Sequence, residues 1–167
     1  SLYTLRPSEL DSNSIYKLST STEGEYYLLE NRQDTTSLDG TGLLIYHVNS
    51  NNIGDVYDSK INTTHPQNLY VVVANTYKKK PIGEGTYGTI SSPSATFKNF
   101  GSNRIYFTST SLPSNCAWNG DTTYNKDVCF ISEEMIKSEK CVKFVLNPEI
   151  EGPDVLCDSA VYSLQHV

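Results

Sequence analysis

The sequence is poor in charge and lacks a basic face. Charged residues make up 19% of its 167 residues, the net charge is −6, and the only basic run is the three lysines at 78–80. Nucleic-acid-binding surfaces need clustered Lys and Arg to neutralise phosphates, so the composition argues against that class of protein. Three consecutive lysines in a polar stretch are typical of a solvated loop.

Long apolar runs are also missing. No stretch approaches the ~20 apolar residues that cross a bilayer as a helix. No signal peptide is present, and a removed signal or a trimmed chain would look the same. Tyrosine is abundant instead, with 12 residues against one Trp and one Met. Tyr with Ser, Thr and Asn is typical of strands and turns, and we expect a secreted or cell-surface β-rich domain.

The cysteines contain no C-x-x-C pair, which argues against a structural zinc site. The four are Cys116, Cys129, Cys141 and Cys157. Cys116 and Cys129 bracket the polar loop CAWNGDTTYNKDVC, and a disulfide closing this loop suits an oxidising compartment. Reduced, buried cysteines are the alternative, and the spacing leaves both open.

The stretch PIGEGTYGTI (81–90) has a GxGxxG spacing at Gly83, Gly85 and Gly88, with wording close to a protein kinase glycine-rich loop. The chain is too short for a kinase and contains no H-R-D or D-F-G motif. Pro81 cannot lie in a central strand, and no helix follows as a dinucleotide-binding site requires. We therefore expect a surface loop that binds no nucleotide.

Histidine is scarce, and the three present, His47, His65 and His166, form no H-E-x-x-H motif. His47 lies in the apolar run LLIYHV, which favours a packed, hydrogen-bonded imidazole. His65 precedes Pro66 in a predicted loop. A metal site assembled from His47 and His65 stays open, although nothing in the spacing supports it.

No constellation of nucleophile and base is recognisable, and G-x-S-x-G is absent. The adjacent Glu133 and Glu134 would point apart on a strand or helix. Glu30 and Arg32, in LLENR, share a face of a regular strand. We expect them to form an ion pair or hydrogen-bonded anchor rather than a general acid or base. No catalytic, cofactor-binding or metal-ligating residue is therefore assigned.

Calcium is the one cofactor that loop composition suggests. The stretches at 51–58 (NNIGDVYD) and 119–127 (NGDTTYNKD) cluster Asn and Asp oxygens, the ligands that calcium prefers. Neither has EF-hand spacing, and such turns are common without metal. The sequence NTT (62–64) is an N-glycosylation sequon, which matters only in a eukaryotic secretory context.

Segments rich in β-branched and aromatic residues recur between turn signals and predict eight strands. They span 14–19, 25–32, 42–49, 68–75, 94–100, 103–110, 127–132 and 141–147. GSN at 101–103 predicts a hairpin over 94–110. The stretch SEEMIKSEK (132–140) is the only helix-like one, and it is short enough to be a loop between strands. The pattern predicts an all-β fold, an antiparallel sandwich or jelly roll.

Three of these segments carry a resemblance to a known family. EYYLLENRQ (25–33), then GTGLLIYHVN (40–49), then NLYVVVAN (68–75) preceded by His65, resemble the region downstream of the zinc motif in the immune inhibitor A family of secreted bacterial metallopeptidases (peptidase family M-six). The later part resembles the family's downstream pattern at single positions. These are Ser111, Pro113, Ser114, Trp118, Gly120, Ile131 and Phe144.

The sequence departs from this family in ways that bear on function. Asn49 and Asn75 stand where the family usually has Asp, and Asp39-Gly40 replaces a Pro-Gly. The family's zinc-binding helix lies upstream of this region and is not in this chain. The resemblance therefore implies a non-catalytic β-rich part of a secreted peptidase, inactive alone, with zinc in the parent protein.

The last residues resemble a different unit. Pro148 and Gly152-Pro153 separate the tail GPDVLCDSAVYSLQHV from the preceding strand, and the tail is similar to the opening strands of a bacterial Ig-like module. We expect a β-sandwich domain at 1–148 and, at 149–167, a linker with the first strands of a truncated Ig-like domain. Its partners would be a peptidase domain upstream and the Ig-like domain downstream.

A second hypothesis stays open beside this one. A stand-alone surface adhesion module, binding carbohydrate or protein without peptidase activity, would use the Tyr, Trp118 and Asn/Asp-rich loops found here. An H-E-x-x-H motif upstream in the full-length gene would favour the peptidase hypothesis.

Overall fold

The described part of the chain contains ten strands. The computed structural model describes residues 1–11, 14–33, 41–52, 68–74, 96–98, 105–111, 114–122, 126–147, 149–151 and 163–165. The strands are β1 (Leu2–Leu5), β2 (Ile15–Ser19), β3 (Glu25–Arg32), β4 (Gly42–Asn49), β5 (Leu69–Val72), β6 (Tyr106–Phe107), β7 (Val128–Ile136), β8 (Glu139–Leu146), β9 (Glu149–Glu151) and β10 (Ser163–Gln165). In these ranges no helix has the length and apolarity to span a bilayer.

Eight of the strands form two four-stranded antiparallel sheets. Sheet A has the order β1-β8-β7-β6 and sheet B the order β2-β3-β4-β5. Sheet B is a simple meander, and β6 to β8 form a second one that β1 completes. The predicted all-β antiparallel class is confirmed. Most neighbouring strands in each sheet are also consecutive in sequence, as in a sandwich of two meanders. A jelly roll would instead have connections that cross from one sheet to the other.

The core lies between the sheets and follows the strand period of two. From sheet B, Leu29, Leu43 and Ile45 are fully buried, and from sheet A, Val142 and Phe144 are fully buried. Alternate residues of a strand point to the same face, so each sheet contributes one face to this layer. At about 25 cal/mol per Å2 of apolar surface removed from water, this layer is the main source of stability.

Strands β3 and β4 begin and end at the predicted residues, whereas β1 was not predicted. Among the described residues of the strand predicted at 103–110, only Tyr106–Phe107 form a strand. Thr108 and Ser111 cause this, because their hydroxyls bond backbone atoms of each other: the Thr108 amide donates to Ser111 Oγ (2.7 Å) and the Ser111 amide to Thr108 Oγ1 (3.1 Å). Such local bonds compete with strand pairing.

The helix-like interpretation of 132–140 is wrong. This stretch forms the end of β7, a two-residue turn and the start of β8, with Ile136 paired to Glu139. Lys137 and Ser138 have φ of 49° and 68°, the left-handed values that a tight hairpin turn needs at both positions. The alternative interpretation, a connection between two strands, agrees better with this hairpin.

The predicted hairpin over 94–110 is not supported by the described residues on either side of its turn. Phe97 bridges Leu43 of sheet B, whereas Tyr106–Phe107 pair with β7 of sheet A.

The disulfide suggested between Cys116 and Cys129 is not formed, because both are free thiols. Burial raises the pKa of Cys129 to about 11, which keeps this thiol protonated on its strand.

Several expectations concern residues outside the described ranges. They are the glycine-rich stretch 81–90, the lysines at 78–80, the sequon at 62–64, His65, His166, Asn75 and Cys157. Of the expected Ig-like tail, β9 and β10 pair with each other in a separate two-stranded sheet. The division of the chain at residue 148 stays a prediction.

One buried amide joins the two sheets at the end of β3. Asn31 is 0% exposed. Its Nδ2 donates to the carbonyl of Leu5 (2.9 Å), at the end of β1, and to that of Lys140 (2.9 Å), in β8. Sheet B is therefore tied to two strands of sheet A by a single side chain.

We predict that Asn31→Ala lowers the free energy of unfolding by about 2–4 kcal/mol, because it leaves two buried carbonyl groups without their donor. Chemical denaturation measures the change. Asn119→Ala, at an exposed turn, is the control and should cost much less. A loss for Asn31→Ala no larger than that of the control would show that this amide does not tie the sheets.

Candidate functional site

The most distinctive group of residues lies on the core face of sheet B, where β3, β4 and β5 run side by side. In the strand register Tyr27 is opposite His47, and His47 is opposite Tyr70. Glu25 precedes Tyr27 by two residues and so shares its face. The register alone therefore places a carboxylate, an imidazole and two phenols together.

These residues form a continuous chain of hydrogen bonds. His47 Nε2 lies 2.6 Å from Glu25 Oε1, and His47 Nδ1 contacts the Tyr70 hydroxyl. A carboxylate only accepts, so Nε2 carries a proton toward Glu25, and in the neutral imidazole Nδ1 then accepts from Tyr70. The side chains of His47 and Glu25 are 0% and 1% exposed. We call Glu25, His47 and Tyr70 the relay; Tyr70 is its one partly exposed member.

Aromatic rings enclose the imidazole. Tyr27 stacks on His47 at 4.2 Å between ring centroids, and Trp118 stacks on it at 5.5 Å with an interplanar angle of 15°. Tyr70 meets the edge of Trp118 at 5.5 Å. Rings at these separations contribute packing energy beyond the area they bury, and they keep water from the relay.

The relay holds the loop that contains Trp118 against sheet B. The Trp118 amide donates to Glu25 Oε1 (2.7 Å), and the Tyr27 hydroxyl donates to the Cys116 carbonyl (2.6 Å). The loop's own turn is closed by the Ala117 amide bonding to the Asp121 carbonyl (3.0 Å). Glu25 therefore fixes both an adjacent strand and a segment distant in sequence.

The phenols beside the relay stay protonated. Burial, and next the neighbouring ionisable groups Glu25 and Cys116, raise the pKa of Tyr27 well above its usual value. Burial is also the main cause for Tyr70, whose pKa is raised further by Tyr27 and Glu25. Both hydroxyls can therefore act as hydrogen-bond donors throughout the neutral range.

The predicted packed, hydrogen-bonded imidazole of His47 is what the structure contains. Because the side chains of Glu25 and His47 are shut off from solvent, these two residues offer no open face to a bulky substrate. His65, the second histidine considered for metal, is outside the described ranges. Among the described residues no group of three or more His, Cys, Asp or Glu could hold a metal ion.

Glu30 and Arg32 form the predicted ion pair, at 3.4 Å, on the opposite face of sheet B. The Glu30 carboxylate also accepts from the Ser8 hydroxyl (2.6 Å) and from the Tyr46 hydroxyl (2.7 Å). Burial, and then Glu30 itself, raise the pKa of Tyr46. This cluster pins the segment after β1 to sheet B.

The other acidic candidates take part in local bonds. Asn119 Oδ1 accepts from the Asp121 amide (2.8 Å), and Asp127 Oδ1 accepts from Asn115 Nδ2 (3.1 Å) in the loop considered for calcium. Glu133 and Glu134 point to different lysines, at 3.1 Å to Lys140 and 2.6 Å to Lys143. Most of the second calcium candidate, 51–58, lies outside the described ranges.

A shallow groove of about 440 Å3 lies beside the β7–β8 turn. Seven residues line it: Pro7, Glu9, Leu10, Gln33, Ser138, Glu139 and Lys140. At its edge Arg6 forms a two-pronged pair with Glu139, at 2.7 Å for each contact. Its volume is within the range of small-ligand sites. No pattern in the sequence indicates this groove.

The sequence did not single out Glu25, Tyr70 or Asn31. Glu25 and Tyr27 lie two apart at the start of a strand, and this spacing alone would have placed them on one face. Their relation to His47 depends on the β3–β4 register, and the contact with Trp118 depends on a loop 93 residues away in sequence. Neither is a local signal.

No protein-family model, curated protein or solved structure matched the chain in the three comparisons with known proteins.

We predict that Glu25→Ala lowers the free energy of unfolding by about 3–5 kcal/mol, since it removes the acceptor of two buried donors. It should also release the loop at Trp118. The chain has one Trp, so a red shift of its fluorescence and stronger acrylamide quenching report the release. Glu134→Ala, whose side chain is 45% exposed, should leave both close to wild type. Unchanged Trp118 fluorescence in Glu25→Ala would contradict the anchoring role.

We predict that the protein loses stability as the pH rises above about 10, the ordinary pKa of a phenol. The pKa values of Tyr27, Tyr46 and Tyr70 are raised in the folded state. Unfolded phenols therefore lose protons first, and alkali favours unfolding. Denaturation curves at increasing pH test this, and Tyr70→Phe should weaken the dependence. Stability that stays flat above the phenol pKa would refute it.

Proposed function

We propose that this chain is the non-catalytic β-rich region of a secreted or cell-surface bacterial metallopeptidase-like protein, and that it supports a zinc peptidase domain upstream. The support is structural: the region provides a folded sandwich against which the catalytic domain is held. The proposal begins from the resemblance to the immune inhibitor A family at 25–33, 40–49 and 68–75.

One observation carries the proposal: the ionisable residues of the resembling segments are occupied in holding the fold together. Glu25 and His47 bond each other inside the core, and Glu30 binds Ser8, Tyr46 and Arg32. Residues whose hydrogen bonds join strands in this way favour a scaffold over a peptidase active site.

The two halves of the resemblance meet in one core, which supports a single structural unit. Trp118, from the later half, stacks on His47 of the earlier half. Phe144, also from the later half, is fully buried and meets the ring of Tyr16 at 5.7 Å. A shared core explains why the same unit would carry both parts of the family pattern.

Secretion and the neighbouring domains rest on sequence alone. The low charge and the abundance of Tyr, Ser, Thr and Asn support an extracellular setting. In the proposed arrangement the parent carries its zinc in an upstream domain, and an Ig-like module follows at 149–167.

The groove beside the β7–β8 turn favours a second candidate, a stand-alone adhesion module. A concave surface of about 440 Å3 could take a sugar or a short peptide. Leu10 offers an apolar contact there, and Glu9, Gln33 and Lys140 offer polar ones.

We predict that the 167-residue chain alone releases no peptides from casein, with or without a chelator. The full-length protein should release peptides in a chelator-sensitive manner. Glu25→Ala introduced into the full-length protein should lower the yield of folded, zinc-loaded enzyme while leaving kcat/KM per bound zinc unchanged. Glu134→Ala is the matched control and should leave the yield unchanged.

Three results would count against this proposal. Chelator-sensitive cleavage by the isolated chain would make it catalytic. Full activity and yield after deletion of residues 1–147 from the full-length protein would remove its supporting role. A full-length gene without an upstream H-E-x-x-H, together with binding on a glycan array, would favour the adhesion module.

A further inference from the structure

We propose that Tyr70 is a one-electron donor, that its proton passes to His47 when it is oxidised, and that Trp118 is the point at which oxidising equivalents enter. The oxidant is a diffusible one-electron oxidant, such as the carbonate radical. This activity is independent of the supporting role proposed above.

The first requirement is a base in contact with the phenol. A phenol loses its proton when it loses an electron, so oxidation is easier where a base already accepts its hydrogen bond. The Tyr70 hydroxyl contacts His47 Nδ1, and imidazole is the side chain best suited to shuttling a proton near neutral pH. Because His47 is already in contact with the hydroxyl, no water molecule has to reach the site to accept the proton.

The second requirement is a place for the transferred proton. His47 already donates through Nε2 to Glu25 Oε1 at 2.6 Å. Protonation at Nδ1 makes an imidazolium beside a carboxylate, a buried ion pair with its hydrogen bonds in place. The nearby Tyr27 and Cys116 add no competing positive charge, and the Trp118 amide keeps Glu25 oriented.

The third requirement is an electron path to the surface. Trp118 is partly exposed, and its ring is in edge contact with that of Tyr70 at 5.5 Å. Tyr70 is partly exposed as well, so the path rests on the contact between the two rings rather than on a difference in depth. Once Trp118 is oxidised, this contact lets an electron pass to it from Tyr70, the ring whose proton has a base to receive it.

The step balances in atoms and electrons. Trp118 gives one electron to the oxidant and becomes a radical cation. Tyr70 returns one electron to Trp118 as its O–H bond breaks, and the proton forms a new N–H bond at His47 Nδ1. The products are neutral Trp118, a Tyr70 phenoxyl radical, the His47 imidazolium and the reduced oxidant.

Two other tyrosines with described hydroxyl partners are less suited to this step. The Tyr27 hydroxyl donates to a backbone carbonyl, which is not a base. The Tyr46 hydroxyl donates to the Glu30 carboxylate at 2.7 Å, but carboxylate is a weaker base than imidazole. Tyr46 is therefore a matched comparison for Tyr70.

The test is flash photolysis of the intact chain with ruthenium tris-bipyridine and a sacrificial quencher, followed by electron paramagnetic resonance. We expect a tryptophan radical that converts to a tyrosyl radical, more slowly in D2O than in H2O. Tyr70→Phe should remove most of the tyrosyl signal and prolong the Trp118 radical. Tyr46→Phe should keep the wild-type signal.

An undiminished tyrosyl signal in Tyr70→Phe, or equal rates in D2O and H2O, would overturn the proposal. Because Tyr70→Phe could lose stability, a second measurement uses the wild-type chain. The radical is captured with a nitroso spin trap and the adduct is located by mass spectrometry. An adduct at Tyr70 supports the proposal, and an adduct confined to other tyrosines overturns it.

Discussion

The buried carboxylate of Glu25 links strand β4 to a loop that is distant in sequence. A carboxylate buried to this degree is costly unless donors surround it, and here the donors are His47 Nε2 and the Trp118 amide. His47 lies on the neighbouring strand β4, and Trp118 lies in the loop between β6 and β7 of sheet A. Satisfying one charge therefore fixes the register of β4 and the position of a distant loop at the same time.

Side chains near both ends of strand β3 connect sheet B to other parts of the fold. Glu25 lies at its start and Asn31 near its end, and both side chains point into the core layer and reach elements outside sheet B. Apolar packing between the sheets is non-directional and could tolerate sliding, whereas these hydrogen bonds have fixed partners. The relay to Tyr70 is a consequence of the same arrangement, because the imidazole that satisfies Glu25 presents its other nitrogen to the phenol.

The sequence predicted the central strands well because their signal is local. EYYLLENR and GLLIYHVN are apolar enough to set β3 and β4 residue by residue, and the spacing of Glu30 and Arg32 was enough to predict their contact. Strand β1 has only four residues, and SEEMIKSEK lacks the Gly or Asn that marks a tight turn, so both were missed. The Glu25–His47–Tyr70 relay and the Trp118 contact depend on strand register and on chain closure, which no short stretch encodes.

We infer that His47 is a neutral imidazole with its proton on Nε2 toward Glu25 and with Nδ1 accepting from Tyr70. Nitrogen-15 NMR of histidine-labelled protein at neutral pH distinguishes the possible protonation states, because the shifts of the two ring nitrogens identify the tautomer. We expect a protonated Nε2 with slow solvent exchange and an unprotonated, hydrogen-bonded Nδ1. A His47 proton on Nδ1, or rapid exchange of the ring proton with water, would show that this arrangement is wrong.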